Sequence, residues 1–92
     1  MNLTELKNIR GRTARWLRDI GIDSVERLAE RDMFEVWTEL KRIRPREVED
    51  QLLLELEGAI LNVDWQELPG EVKHQLMIKV KKWEKEESKR PS

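Results

Sequence analysis

The segment from Glu47 to Leu61 constrains the fold more than any other. Val48, Leu52, Leu56, Ala59 and Ile60 recur at helical intervals and form one stripe, and Leu53 widens it. An apolar face that broad cannot be left against water, so this segment reads as a central helix that other elements must cover. The partners carry a recurring start signal. Asp23 with Glu26, Asp32 with Glu35, and Asp64 with Glu67 each place a capping side chain three residues before a carboxylate, and Asn2 with Glu5 repeats the arrangement at the N-terminus. The first of these boxes opens a short helix with Val25, Leu28 and Ala29 inward. The second opens a helix whose Phe34, Val36, Trp37, Leu40 and Ile43 form an apolar face, and the third precedes Leu68-Pro69-Gly70-Glu71. Proline near that start suits the first turn of the last helix, where Val72, Leu76, Val80 and Trp83 are spaced to face inward. Pro45 blocks continuation of the preceding helix and suits the first turn of the next. Gly58, inside the central helix, costs ~1 kcal/mol relative to alanine, so its use is close helix-helix contact or a kink.

Between Leu3 and Ile22 two short helical patterns are separated by Asn8-Ile9-Arg10-Gly11. Leu3, Leu6 and Ile9 recur every three residues, and Ala14, Leu17 and Ile20 repeat the spacing up to Gly21, which is placed to take the left-handed conformation after a helix end. This reads as a helix-hairpin-helix-like unit. No credible strand pair or long linker competes. The sequence therefore predicts an all-α fold, a small five- or six-helix bundle forming a single domain over residues 1–84, with a charged tail at 85–92 that frays because it lacks an apolar anchor.

Charge and composition narrow the function. The formal net charge is -1, but residues 1–46 carry +3, mostly from arginine, and residues 47–92 carry -4. Lys7, Arg10, Arg12, Arg15 and Arg18 form a run with no acidic residue among them. Arginine's planar donor fork suits phosphate or carboxylate recognition, whereas the later, mostly lysine, cations suit a solvated surface. Cysteine is absent, which removes disulfides and thiolate chemistry, and the single histidine, His74, stands without converging carboxylates. No cofactor, metal site or catalytic residue is indicated. The carboxylates of Glu47, Glu49, Asp50, Glu55 and Glu57 are read as surface charge and as contacts to the basic N-terminal half. No run of ~20 apolar residues exists to span a bilayer, and the start lacks the apolar segment of a signal peptide, so a cytoplasmic location is expected.

The candidate partner or DNA surface is Arg10, Gly11, Arg12, Arg15, Trp16 and Arg18. Arg12, Arg15 and Arg18 follow one another at threes along a helix, and Gly11 lets a phosphate backbone approach the helix start. The competing reading is that the arginine stems cover Trp16 and pair with neighbouring carboxylates. Trp16 lies off the Ala14-Leu17-Ile20 stripe; it either seals the hairpin half-buried or stands exposed as a binding hot spot. Trp37, Trp65 and Trp83 are core candidates.

The opening L-K-N-I, the stretch A-R-W-L-R-D-I-G-I-D-S-V-E-R-L, the central L-L-L-E-L-E-G-A-I-L, and D-W-Q-E-L-P before the last helix occur in the order found in one family. From about Leu3 to Met77 the chain resembles the C-terminal domain of the TfoX/Sxy DNA-transformation (competence) regulators. The resemblance implies a helical, helix-hairpin-helix-related domain associated with the regulation of genetic competence, and no enzyme. The family pattern places glycine directly after the Asn-Ile pair, whereas Arg10 stands there in this chain and Gly11 follows, which alters the turn that would face a phosphate. Longer family members also carry a separate N-terminal domain. The leading expectation is a regulatory module that binds another protein, with self-association open; the alternative is weak, non-sequence-specific DNA binding through the basic surface.

Overall fold

A computed structural model of the chain describes residues 2–89. Five α-helices follow two distinct starts: a 3-10 turn at Leu3–Glu5 precedes α1 (Gly11–Asp19), α2 (Val25–Ala29), α3 (Met33–Ile43) and α4 (Asp50–Leu61), and a second 3-10 turn at Trp65–Glu67 precedes α5 (Gly70–Ser88). No strand occurs among the described residues.

α4 is the centre, as its stripe requires. It touches α3, α5 and the Trp65–Glu67 turn. Leu52, Leu53 and Leu54 are all buried in succession, and Leu56 and Ala59 with them. Three consecutive buried positions sweep about 200° of a helix, so α4 is covered on more sides than the sequence stripe suggests. The stripe fails at its end: Ile60 is 37% exposed and Leu54 replaces it inside. Val48 is buried but precedes the helix, because residues 45–47 form a turn that places Pro45 outside α4. Lys41 reinforces this turn by donating from Nζ to the carbonyls of Pro45 (2.9 Å) and Val48 (2.7 Å). Trp37 ties α3 to the same connection, its Nε1 donating to the Glu49 carbonyl at 3.0 Å.

The capping signals hold with one shift. Asn2, Asp32 and Asp64 accept from Thr4, Phe34 and Gln66 backbone N–H groups respectively. At α2 the cap is Ser24, which accepts from Arg27 N–H, and Asp23 forms an ion pair with Arg27 instead. α2 consequently buries only Leu28 fully, and Ala29 is exposed. On α3, Met33, Val36, Trp37 and Leu40 are buried while Ile43 is 56% exposed.

The N-terminal expectation needs correction. Leu3 to Asn8 makes one 3-10 turn and no α-helix, so the first helix expected there is replaced by that turn and a helix-hairpin-helix unit over Leu3–Ile22 is not confirmed. Asn8 takes the left-handed region (φ 71°), which stops helical continuation. So short a segment is marginal as a helix, and the side-chain bonds of Asn8 described below hold the turn instead. Leu3 and Ile9 still point inward, as their spacing indicates. α1 ends as expected: Gly21 (φ 86°) closes a Schellman motif in which Ile22 N–H donates to Leu17 O (2.9 Å) and Gly21 N–H to Arg18 O (3.0 Å). At the other end α5 runs through Ser88, past the point where the tail is expected to fray. Arg42 of α3 pairs with Glu87 at 3.1 Å, and one turn earlier Trp83 meets Trp37 edge-to-face at 5.3 Å. Residues 90–92, the rest of that expected tail, lie outside the described residues.

Candidate functional site

The basic surface is built on α1, and the structure divides its residues into three kinds. Trp16 is a core residue: it is 4% exposed, and what lies over it is cationic. The Arg12 guanidinium stands 4.9 Å from its ring centroid and that of Arg44, from the end of α3, stands at 5.6 Å. Arg44 also donates to Asp19 Oδ2 at 2.9 Å, so it bridges α3 to the end of α1. The exposed hot-spot reading of Trp16 is therefore wrong. Two guanidinia thus lie over its indole, one from α1 and one from just past the end of α3.

Arg10 and Arg12 are the second kind. With Thr13 and Trp16 they form one wall of a cleft of about 220 Å³ whose other wall carries Glu47, Glu49, Gln51 and Glu55. Burial pushes the Glu55 carboxyl above its ordinary value, against the opposing pull of a Gln51 hydrogen bond and the charges of Arg10 and Arg12, while Glu49 adds to the rise. The charges of Arg10 and Arg12 thus reach Glu55 across the cleft, but burial of the carboxyl outweighs them.

Arg15 and Arg18 are the third kind. Both are exposed, lie one turn apart on α1 and form no ion pair among the described residues. Gly11 begins the helix after Arg10, which supplies no side-chain cap. A Cβ at position 11 would meet nothing within 4 Å, so no internal contact requires glycine there. The six candidate residues thus lie on α1 or at its N-cap, and Arg15 and Arg18 are the two arginines among them that neither line the acidic cleft nor lie over Trp16. Sequence reasoning missed Arg44, because its link to Trp16 and Asp19 crosses between helices and leaves no local pattern.

A second constellation explains the stretches that carry the resemblance. Asn8 donates from Nδ2 to the Glu55 carbonyl (3.2 Å) and the Val63 carbonyl (3.0 Å), and its Oδ1 accepts from Trp65 N–H (3.3 Å). One side chain thereby joins the N-terminal turn, α4 and the Trp65–Glu67 turn. Gly58 makes the approach feasible. A Cβ there would stand 2.7 Å from Asn8 Nδ2, 2.8 Å from Val63 O and 3.2 Å from Trp65 Cα. The neighbour that needs the glycine is an amide side chain and a returning backbone, and not the second helix expected from sequence. The return is made by Asn62 in the left-handed conformation (φ 60°), with Val63 N–H donating to Gly58 O at 2.9 Å. Lys73 holds the far side, donating to Gln66 O at 2.7 Å with its Nζ 5.9 Å from the Trp65 ring centroid. The L-K-N-I, L-E-G-A and D-W-Q-E-L-P stretches are therefore parts of one structural joint.

Among the described residues no group of three or more His, Cys, Asp or Glu side chains converges as a metal site would, and no helix is long and apolar enough to cross a membrane. His74 is exposed on α5.

The comparisons agree with this architecture. A crystal structure of an uncharacterized protein from Listeria monocytogenes is similar, with a TM-score of 0.79 and 27% identity over 84% of this chain and 86% of that one. No curated protein matches. The family model described as the TfoX C-terminal domain matches residues 1–80, which include α1 to α4, the Asn8–Gly58–Trp65 joint and the first half of α5. The chain belongs to the TfoX C-terminal domain family, and with it to the regulatory domains of the competence regulators.

Proposed function

We propose that this domain is a non-enzymatic, cytoplasmic regulatory module that works by binding an acidic surface of another protein through α1. The observation that carries the reading is the pair Arg15 and Arg18: exposed, without an ion pair among the described residues, and mounted on a helix whose Trp16 and Leu17 are buried. The planar fork of each arginine makes two parallel hydrogen bonds to a carboxylate, so less side-chain freedom is lost per bond than with lysine. Pull-down from a bacterial lysate with the native protein and with Arg15→Gln/Arg18→Gln tests it. A partner enriched by the native protein and lost with the variant is expected. Equal enrichment by both, or none by either, refutes this surface as the contact.

Direct DNA binding is the second reading, favoured by the open start of α1 at Gly11 beside the same arginines. Glu47, Glu49 and Glu55 oppose it, since they face Arg10 and Arg12 across the cleft. Contact by Arg15 and Arg18 alone would give a salt slope near -1.8, so affinity would fall roughly 12-fold between about 50 and about 200 mM salt; all four arginines would give roughly 150-fold. Fluorescence anisotropy with a duplex at the two salt concentrations separates these cases. Weak or no binding at the lower salt is expected, and sequence preference is not, because phosphate contacts carry none.

A further inference from the structure

Away from α1, the outward face of α5 presents Lys79, Lys82 and Trp83, and Phe34 of α3 meets them there. With Glu86 these residues line an open groove of about 310 Å³. Its surface combines aromatic area with two lysines, and Glu86 is its one acidic lining residue. Phe34 and Trp83 are only partly buried. Lys79 Nζ stands 5.8 Å from the Phe34 ring centroid. Lys79 and Lys82 are exposed, and neither forms an ion pair among the described residues, although Glu86 is one turn from Lys82. Trp83 contributes ring surface to the groove, since its Nε1 is buried without a hydrogen-bond partner.

We propose that this groove docks an acidic amphipathic segment of a partner protein, with an apolar or aromatic anchor seated on Phe34 and Trp83 and flanking carboxylates paired with Lys79 and Lys82. Charge complementarity selects this occupant. A purely apolar segment would strip water from two ammonium groups and leave them uncompensated, and a basic segment would be repelled. Carboxylates on either side of the anchor remove that cost and gain from the lowered dielectric beside the rings. Glu86 at the edge of the groove disfavours a further carboxylate there and so sets the register. The site shares no residue with the α1 surface and stands or falls separately from it.

The test uses the full chain, isotopically labelled for NMR, and a short synthetic peptide with a central Leu-Phe pair between glutamate pairs. One control peptide carries lysine for glutamate and another carries serine for Leu-Phe. The expected result is saturable movement of the Lys79, Lys82 and Trp83 indole signals with the acidic amphipathic peptide only. Lys79→Glu/Lys82→Glu should weaken binding about tenfold or more, whereas Arg15→Gln/Arg18→Gln should leave it unchanged. Phe34→Ala should also weaken it; because Phe34 packs against the core, the exposed lysine pair keeps the test independent of folding. No shift at ~1 mM peptide, equal response to either control, movement of α1 signals instead, or dilution-dependent groove shifts without peptide would each overturn the proposal.

Discussion

Gly58→Ala is expected to destabilise this domain, although a helix interior ordinarily gains from that change. In an unconstrained helix the substitution is favourable by ~1 kcal/mol. Here the added methyl would lie 2.7 Å from Asn8 Nδ2 and 2.8 Å from Val63 O. The Asn8 side chain can withdraw, but doing so forfeits its bonds to the Glu55 and Val63 carbonyls, ~0.5 to 1.5 kcal/mol each. The Val63 backbone cannot withdraw without opening the Schellman turn, and overpacking of this kind costs ~1 to 3 kcal/mol. Setting the ~1 kcal/mol gain against losses of ~2 to 6 leaves a net cost of roughly 1 to 5 kcal/mol, centred near 3. Urea unfolding monitored by circular dichroism should show a lower midpoint with an unchanged slope. In an Asn8→Gly background, which removes the amide yet tolerates the left-handed turn, the same substitution should cost less but still destabilise, because Val63 O remains in the way. A Gly58→Ala protein as stable as the native one, or purely additive behaviour in the double variant, would refute the joint.

The remaining predictions concern the core and the acidic cleft. Leu56→Ala should cost ~2 to 5 kcal/mol and Ile60→Ala less than ~1, since Leu56 is fully buried and Ile60 is 37% exposed; equal costs in thermal unfolding would undo the orientation of α4. Trp16→Ala should cost ~3 to 5 kcal/mol while Arg12→Gln costs no more than ~1, and a Trp16 variant of native stability that loses only partner binding would restore the exposed reading. Glu55→Gln should raise the melting temperature near neutral pH. Its folded-state pKa is raised, so the stability that the neutral carboxyl confers is complete below the unfolded value and is lost as pH rises through the folded one; the advantage of glutamine should vanish near pH ~4, and a gain independent of pH would contradict it.

The fold was legible where one segment's own periodicity decided the outcome. α4 had to be central because its apolar face exceeded what a surface helix can hide, and Asp32, Asp64 and Gly21 act locally, through their own backbone neighbours. Expectations failed where a distant group outbid local preference. Leu3 to Asn8 has the spacing of a helix, yet Asn8 turns left-handed because carbonyls of Glu55 and Val63, around fifty residues away, accept its amide. Ile43 and Ile60 continue their stripes on paper yet are exposed, each standing at or next to the last residue of its helix.

The candidate surface was legible in part for the same reason. Spacing alone places Arg12, Arg15 and Arg18 along one side of α1, and it does. It cannot say which charges are already spent, because that depends on Arg44 and Asp19 meeting over Trp16 and on Glu55 facing Arg10 and Arg12. A basic run in a sequence is therefore an upper bound on the charge that a partner can use. On α1 itself, Arg15 and Arg18 are the arginines that neither line the acidic cleft nor lie over Trp16, and the proposed protein contact rests on them. Restoring charge should reverse that balance: Glu49→Gln/Glu55→Gln frees Arg10 and Arg12, and anisotropy should then show the salt slope steepen from near -1.8 toward about -3.6. A slope unmoved by removing both carboxylates would mean that the acidic wall of the cleft is not what restrains the arginines.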